Sequence, residues 1–155
     1  MMAKPKTNSQ HKELPVLAER CPLSFAIFGV ARAHRALAGT LIADLGLYTG
    51  QELLLAQLGF EDGQSQKSLG QLIRSDHSTI AKTVGRLAAA GLVERRKDEE
   101  DARVTRVFLT DAGRSIQDRI LEAWRQLEER TATGLSAEEA ETFLRLARKM
   151  RDRLE

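Results

Sequence analysis

The fold is decided by residues 65–109, which read SQKSLGQLIRSDHSTIAKTVGRLAAAGLVERRKDEEDARVTRVFL. Two short helices joined by a tight turn are predicted in the first part, because Ser65 suits the cap of one helix and Ser75 or Asp76 the cap of the next. The second helix carries an apolar face and ends at Gly91, a residue suited to the left-handed conformation that closes helices. The residues of that face are Ile80, Val84, Leu87 and Ala88.

Two strand-like segments follow at residues 92–96 and 104–109, and the charged residues 97–102 between them predict a hairpin loop. A helix pair with a tight turn and a basic hairpin is the plan of a winged helix-turn-helix. In that plan the second helix fits the major groove of DNA and the hairpin, or wing, reaches the neighbouring groove. The polar face of the second helix supplies hydroxyls and cations for phosphates and base edges. Its candidate DNA-binding residues are His77, Ser78, Thr79, Lys82, Thr83 and Arg86. The alternative is a solvated helix whose polar face binds nothing.

On the N-terminal side, residues 1–20 are polar with little periodicity and predict a flexible arm. From Leu23 to Leu45 apolar residues recur at helical spacing and predict a long helix. Thr49 and Glu52 then form a capping-box pattern for the next helix.

On the C-terminal side, Thr110 is predicted to cap a long helix that ends at Gly134. Ser136 and Glu139 form a second capping-box pattern and open a last helix. That helix is predicted to bury an apolar stripe of Ala140, Phe143, Leu144, Ala147, Met150 and Leu154.

These elements predict a mainly α protein: a winged helix-turn-helix with long N- and C-terminal dimerisation helices and a small β-hairpin wing. Residues 21–155 form the domain, with the winged core at about 47–110 and the dimerisation helices at about 23–45 and 111–155. The apolar faces of the terminal helices lie far in sequence from the winged core. We expect these faces to pack against each other. The candidate dimerisation residues are Leu23, Ile27, Phe143, Ala147, Met150 and Leu154.

Length and composition agree with one such domain. The chain has 155 residues, of which 42% are hydrophobic and 30% charged, so it can bury a core. Its net charge of +2 excludes a polybasic protein, but residues 64–97 carry seven basic against two acidic residues, a net charge of +5. If the protein binds a polyanion, we expect the binding site to lie in this segment. No run approaches the roughly 18 apolar residues of a membrane span, so no membrane contact is expected.

The single cysteine, Cys21, excludes a disulfide framework and zinc ribbons, and suits the cytoplasm. The three histidines, His11, His34 and His77, include no pair at the i, i+4 spacing of a helical metal site. Motifs for nucleophilic catalysis or phosphate loops are absent from the sequence. We therefore expect no enzyme activity, no metal site and no cofactor.

The order and spacing of several short motifs resemble the MarR family of bacterial transcription regulators, over about 130 residues. Each motif alone is weak, but their sequence along the chain is specific. The motifs are Leu47–Gln51 with Leu53-Leu54-Leu55, Leu69-Gly70-Gln71-Leu72, Ser78-Thr79-Ile80, Arg86-Leu87, Gly91–Arg96, Asp101-Ala102-Arg103 and Leu109–Arg114. The resemblance implies a cytoplasmic homodimer, clasped by its terminal helices, that binds a palindromic operator in double-stranded DNA. It further implies a repressor released by a small-molecule ligand, of aromatic or phenolic type.

The resemblance also assigns roles in the wing. Asp101 matches an acid that holds the arginine at Arg103 while the wing tip approaches the minor groove. Ala102 departs from the frequent Asp-Arg-Arg form and removes one minor-groove arginine, for which the basic run at residues 95–97 can compensate. The candidate wing residues are Arg95, Arg96, Lys97, Asp101 and Arg103. The alternative for Asp101 and Arg103 is a surface ion pair worth under about 1 kcal/mol.

One branch of the family senses organic peroxides through a cysteine in the first helix. Alignment by distance to Leu47 places Ser24 at that position rather than Cys21, and Phe28 where a tyrosine partner is expected. We therefore expect Cys21 to be inert. Two alternatives to the ligand-released repressor stay open: a redox-responsive regulator that uses Cys21, and a helical dimeric interaction protein that has lost DNA binding.

Overall fold

The structure is a computed structural model that describes residues 15–155. Most of the predicted arm, residues 1–14, lies outside the described residues, and residues 15–20 of that arm form a short helix. The helices are α1 (Pro15–Arg20), α2 (Pro22–Ala43), α3 (Gln51–Phe60), α4 (Gln66–Leu72), α5 (His77–Ala89), α6 (Asp111–Ser115), α7 (Gln117–Ala132) and α8 (Ala137–Leu154). The strands are β1 (Gln64–Ser65), β2 (Val93–Lys97) and β3 (Thr105–Leu109). The predicted fold class, mainly α with a small wing, is confirmed.

The chain divides into two compact units, Met1–Ala36 and Leu37–Glu155, and α2 runs from one into the other. In the described part of the first unit, α1 and the start of α2 carry many apolar side chains that are exposed in the single chain. These include Leu17, Leu23, Ile27, Phe28 and Val30.

The second unit holds the hydrophobic core, to which α2, α3, α4, α5, α7 and the sheet all contribute. Its fully buried centre is formed by Leu54, Leu55, Leu58, Leu69, Ile80, Val84, Leu87, Val107 and Ile120. Gly113 marks a place where chain segments come very close, because a Cβ built on it would lie 2.0 Å from the carbonyl oxygen of Leu92. The helix-turn-helix and the base of the wing are therefore fixed by one core.

The sheet has three antiparallel strands in the order β1-β3-β2. The predicted hairpin is present as β2 and β3, with Val93 opposite Leu109 and Lys97 opposite Thr105. The additional strand, β1, pairs Gln64 with Val107 and was not predicted, because two residues are too few to show an alternating pattern.

Most of the predicted helix caps are confirmed. The side chain of Ser65 accepts a hydrogen bond from the backbone N–H of Ser68 at 3.0 Å. Ser136 and Glu139 form the reciprocal capping box at the start of α8. Gly91 has a φ of +71°, the left-handed conformation expected after α5.

The predicted cap at Thr49 is wrong. Gly50 is the N-cap of α3, in a left-handed conformation with a φ of +96°. The Glu52 carboxylate accepts a hydrogen bond from the N–H of Gly50 at 2.7 Å, so the acid of the predicted box is used but its partner is the glycine. A glycine adopts this conformation at little cost, whereas a side chain does not.

The long helix predicted after Thr110 is interrupted. Thr110 caps the five-residue α6, accepting from Gly113 N–H at 3.1 Å, and the chain turns at the buried Ile116 before α7 begins. The prediction that α8 buries its apolar stripe is wrong for the single chain: none of its residues is buried, and Phe143 is 53% exposed.

One helix among residues 15–155, α2, is long and apolar enough to cross a membrane by length and composition, with a mean hydropathy of 1.2. This is weak evidence for a span, since core helices of soluble proteins pass the same test. The segment also contains Arg32 and Arg35.

Candidate nucleic-acid interface

Helix α5 has a buried face and an exposed face, and this division fixes which side chains meet a ligand. Ile80, Val84 and Leu87 are at most 1% exposed and anchor the helix in the core. The opposite face carries the predicted recognition residues, all exposed except the half-buried Thr83. The structure thus brings His77, Ser78, Thr79, Lys82, Thr83 and Arg86 together on one helix.

Several of these polar groups already have partners at the start of α5. Asp76 caps the helix and accepts hydrogen bonds from Thr79, from its N–H at 2.9 Å and from its hydroxyl at 2.6 Å. These bonds hold the pKa of Asp76 below its ordinary value, so the cap is a carboxylate at neutral pH. The hydroxyl of Thr83 donates to the carbonyl oxygen of Thr79 at 2.9 Å. Both threonine hydroxyls therefore have only acceptor capacity left for a ligand, and Lys82 and Arg86 remain the cationic donors of the helix.

The basic residues of the wing fall into two groups, those that form an ion pair and those that do not. Arg96 lies over the ring of Phe108, 4.7 Å from its centroid, and forms an ion pair with Glu94. Arg95 and Lys97 lie on the same strand, are exposed, and take part in no ion pair within the described residues. A stacked and paired guanidinium has less to gain from a phosphate than a free one.

The wing loop is organised by Asp98, which was not among the predicted site residues. One oxygen of its carboxylate accepts from the backbone N–H groups of Glu100 at 3.0 Å and Asp101 at 2.9 Å, and the other accepts from the Arg106 side chain. The Arg106 hydrogen bond is the main reason that the pKa of Asp98 lies below its ordinary value. Asp98 therefore remains ionised at neutral pH and keeps the loop closed.

The contact between Asp101 and Arg103 differs from the one that the resemblance implied. The Asp101 carboxylate accepts from the backbone N–H of Arg103 at 2.9 Å, and no ion pair joins the two side chains within the described residues. An aspartate two residues before an N–H forms such a local turn readily. Asp101 therefore shapes the wing tip, and the guanidinium of Arg103 is left exposed and free.

Three further hydrogen bonds that sequence reasoning missed join the wing and α6 to the loop before β1. The Asp62 carboxylate accepts from the backbone N–H of Leu109 at 2.9 Å and from Arg114 at 3.0 Å. Arg106 donates to the carbonyl oxygen of Gly63 at 3.0 Å. The partners lie 43 to 52 residues apart in sequence, so no local pattern reveals them.

A second basic region lies at the turn between α4 and α5. Lys67, Arg74 and His77 line a groove of about 360 Å³ there. Only His77 was predicted as a site residue, although the positive charge of residues 64–97 had pointed to the region. Cys21 is exposed. Among residues 15–155, no cluster of His, Cys, Asp and Glu is suited to hold a metal ion.

The predicted dimerisation residues lie on two helices. Leu23 and Ile27 on α2 are exposed, as are Phe143 and Leu154 on α8. Ala147 and Met150 on α8 are half-buried. Each helix therefore presents apolar surface that the single chain leaves open to solvent.

Comparison with known proteins places this geometry among transcription regulators. Residues 47–105 match the MarR family. The HTH-type transcriptional regulator YybA of Bacillus subtilis is 26% identical, over 81% of this chain and 84% of its own. The HTH-type transcriptional repressor NicR of Pseudomonas putida is 33% identical, over 77% of this chain and 75% of its own. The crystal structure of the PcaV regulator of Streptomyces coelicolor in complex with its natural ligand has a TM-score of 0.78 and 28% identity, covering 90% of this chain and 96% of that one. These relatives are regulators of transcription, not enzymes.

Proposed function

Because this chain belongs to the MarR family of DNA-binding transcription regulators, we propose that it acts as a homodimeric repressor that binds a palindromic operator and is released by a small molecule. The observation that carries this proposal is the exposed polar face of α5, opposite its buried apolar face and next to a wing with free cations. Lys82 and Arg86 are one helical turn apart on that face and can reach base edges or phosphates.

Dimerisation follows from the size of the DNA contact. One recognition helix reads few base pairs, and two helices placed about one turn of DNA apart multiply the specificity. The exposed apolar residues of α2 and α8 supply the surface for such a dimer, because a monomer that left them in water would be prone to association.

Repression and ligand release rest on the relatives. NicR is named a repressor, and PcaV was crystallised with its natural ligand. We extend both properties to this chain, with a small aromatic or phenolic ligand and a cytoplasmic location. Cys21 is assigned no role in this release.

Selection of bound DNA from random oligonucleotides tests the proposal. The wild-type protein should enrich a palindrome with half-sites about one helical turn apart, and the double variant Lys82→Ala, Arg86→Ala should enrich none. Enrichment of no sequence by the wild type would favour a dimeric interaction protein that has lost DNA binding. Release of the selected DNA by small phenolic or aromatic acids would then be measured by fluorescence anisotropy.

A further inference from the structure

The turn between α4 and α5 forms a basic groove whose residues, apart from His77, belong neither to the proposed contacts of α5 nor to those of the wing. We call it the turn groove; its volume is about 360 Å³, and it is lined by Gln66, Lys67, Gly70, Gln71, Arg74, Ser75 and His77. Lys67 and Arg74 are exposed and give the groove its positive charge. The groove lies beside the start of α5, because His77, the first residue of that helix, is part of its lining.

The backbone of the turn holds Arg74 in an uncommon conformation. Its φ is +52°, and among the described residues it is the only one other than glycine with a positive φ. The turn is closed by a hydrogen bond of 2.9 Å from the Ser75 N–H to the carbonyl oxygen of Gly70. Gly70 allows this approach, because a Cβ on it would lie 3.2 Å from the carbonyl oxygen of Ser75. Such conformations persist only where the surrounding structure enforces them.

Arg74, one of the groove residues, already binds an anionic group. Both oxygens of the Glu155 carboxylate accept hydrogen bonds from the two terminal nitrogens of Arg74, with the Nη2 to Oε2 distance at 3.3 Å. This two-point contact raises the pKa of Arg74. Glu155 is held in place by its own N–H, which donates to the carbonyl oxygen of Arg151 at 3.2 Å at the end of α8.

A carboxylate and a phosphate offer an arginine the same pair of oxygens, so a carboxylate bound in this way marks a place where a phosphate fits. In helix-turn-helix proteins the first helix crosses the DNA backbone while the second enters the groove. The only acid of the turn itself is Asp76, and both of its oxygens are turned to Thr79. Asp76 therefore does not occupy Arg74.

We propose that the turn groove binds a backbone phosphate of the operator through Arg74, and that Glu155 is a built-in competitor that DNA must displace. The inference rests on the proposed function. It adds a contact outside the recognition helix and the wing, and it links the end of the dimerisation helix α8 to DNA affinity. A change in α8 that draws Glu155 away from Arg74 would strengthen DNA binding.

The expected effect is modest, because the pair is exposed: the side chain of Arg74 is 68% and that of Glu155 49% accessible. Exposed ion pairs change an equilibrium by up to about fivefold. Glu155→Gln should therefore tighten operator binding by about two- to fivefold for each protomer. Asp152→Asn is the matched control, since it removes the same charge from the same helix but its carboxylate pairs with the neighbouring Arg151.

The experiment measures operator affinity at several salt concentrations for five proteins: wild type, Glu155→Gln, Asp152→Asn, Arg74→Gln, and the double variant Arg74→Gln, Glu155→Gln. Arg74→Gln should weaken binding and reduce the log–log salt slope by about one unit for each phosphate contact removed. In the Arg74→Gln background, Glu155→Gln should gain no more than Asp152→Asn gains in the wild type. Equal effects of Glu155→Gln and Asp152→Asn in the wild type would refute the claim that Glu155 competes with DNA for Arg74. An unchanged slope in Arg74→Gln would overturn the phosphate site.

Failure of this inference and failure of the proposed function give different results. If the wild type binds no DNA, the proposed function falls and the phosphate site falls with it. If the wild type binds a palindrome but the Arg74 and Glu155 variants behave as their controls do, only the present inference falls. The Arg74 side-chain Nε–H resonance gives an independent readout without DNA: it should shift in Glu155→Gln and stay in place in Asp152→Asn.

Discussion

Replacement of Phe143 by alanine tests the dimer most directly. Phe143 lies on the apolar stripe of α8 and is 53% exposed in the single chain. An aromatic side chain buries about 150–250 Å² when it is fully covered, so about 100 Å² of Phe143 is available to a partner. At about 25 cal/mol per Å², covering this area contributes about 2.5 kcal/mol. In a symmetric dimer the residue occurs twice, and the loss is about 5 kcal/mol.

A loss of that size raises the dimer dissociation constant by more than about a thousandfold, because about 1.4 kcal/mol corresponds to a factor of ten. Sedimentation velocity over a dilution series measures the constant directly. Phe60→Ala is the matched control: Phe60 is 87% exposed at the end of α3, outside the predicted dimer surface, and its removal should leave the constant unchanged. If Phe143→Ala stays dimeric at nanomolar concentration, or if Phe60→Ala dissociates to the same extent, the assignment of the α8 stripe is refuted.

The remaining predictions concern DNA contacts, pH, packing and redox chemistry. Arg86→Ala should cost about 1–3 kcal/mol on the operator and relax the preference at one position in each half-site, whereas Arg103→Ala should weaken all sequences evenly and flatten the salt slope; binding titrations with operator and scrambled DNA would contradict this if both variants lost the same specificity. Burial raises the pKa of Glu52 above its ordinary 4.5, although hydrogen bonds from the backbone N–H groups of Glu52 and Gly50 act in the opposite direction. The contribution of this group to stability is therefore present below pH 4.5 and lost as the pH rises through the folded-state pKa. Glu52→Gln should therefore gain stability relative to wild type at pH 7 compared with pH 4, and an equal shift in melting temperature at both would disprove it. Gly113→Ala should destabilise the fold by about 1–3 kcal/mol or more in urea unfolding, since its Cβ would meet a backbone oxygen; an unchanged midpoint would show that the close approach is absent. Cys21→Ser should leave DNA affinity unchanged with and without an organic peroxide, and a peroxide-dependent release that disappears in this variant would restore the redox-responsive alternative.

The parts of the fold that sequence reasoning predicted correctly are those set by neighbouring residues. Ser65 as a cap, the capping box at Ser136 and the left-handed Gly91 each depend on two to four adjacent positions. The buried face of α5 follows from a 3.6-residue period that thirteen residues are enough to show. Local rules and the tertiary structure agree at these points, which is why the winged core was readable from the sequence.

The parts that were not predicted depend on residues distant in sequence. Asp62 closes the base of the wing across 47 residues, and Glu155 meets Arg74 across 81. The error at α8 has a different cause: its apolar stripe indicates a face that needs a partner, but the sequence does not show whether that partner lies in the same chain. Hydrophobic spacing identifies a face that needs a partner without identifying the partner.

The count of basic residues in the sequence overstates the cations available to DNA, and the structure shows by how much. Arg96 and Arg106 in the wing are already paired with Glu94 and Asp98. A phosphate must compete with these partners, so neither arginine contributes a full contact to the release of counterions on binding. Among the lysines and arginines of α5 and the wing, those that take part in no ion pair within residues 15–155 are Lys82, Arg86, Arg95, Lys97 and Arg103. We expect these residues, together with Arg74, to set the salt dependence of DNA binding. The paired arginines instead help to set the shape of the wing. We therefore expect the acidic partners Glu94 and Asp98 to support DNA binding through that shape rather than to oppose it.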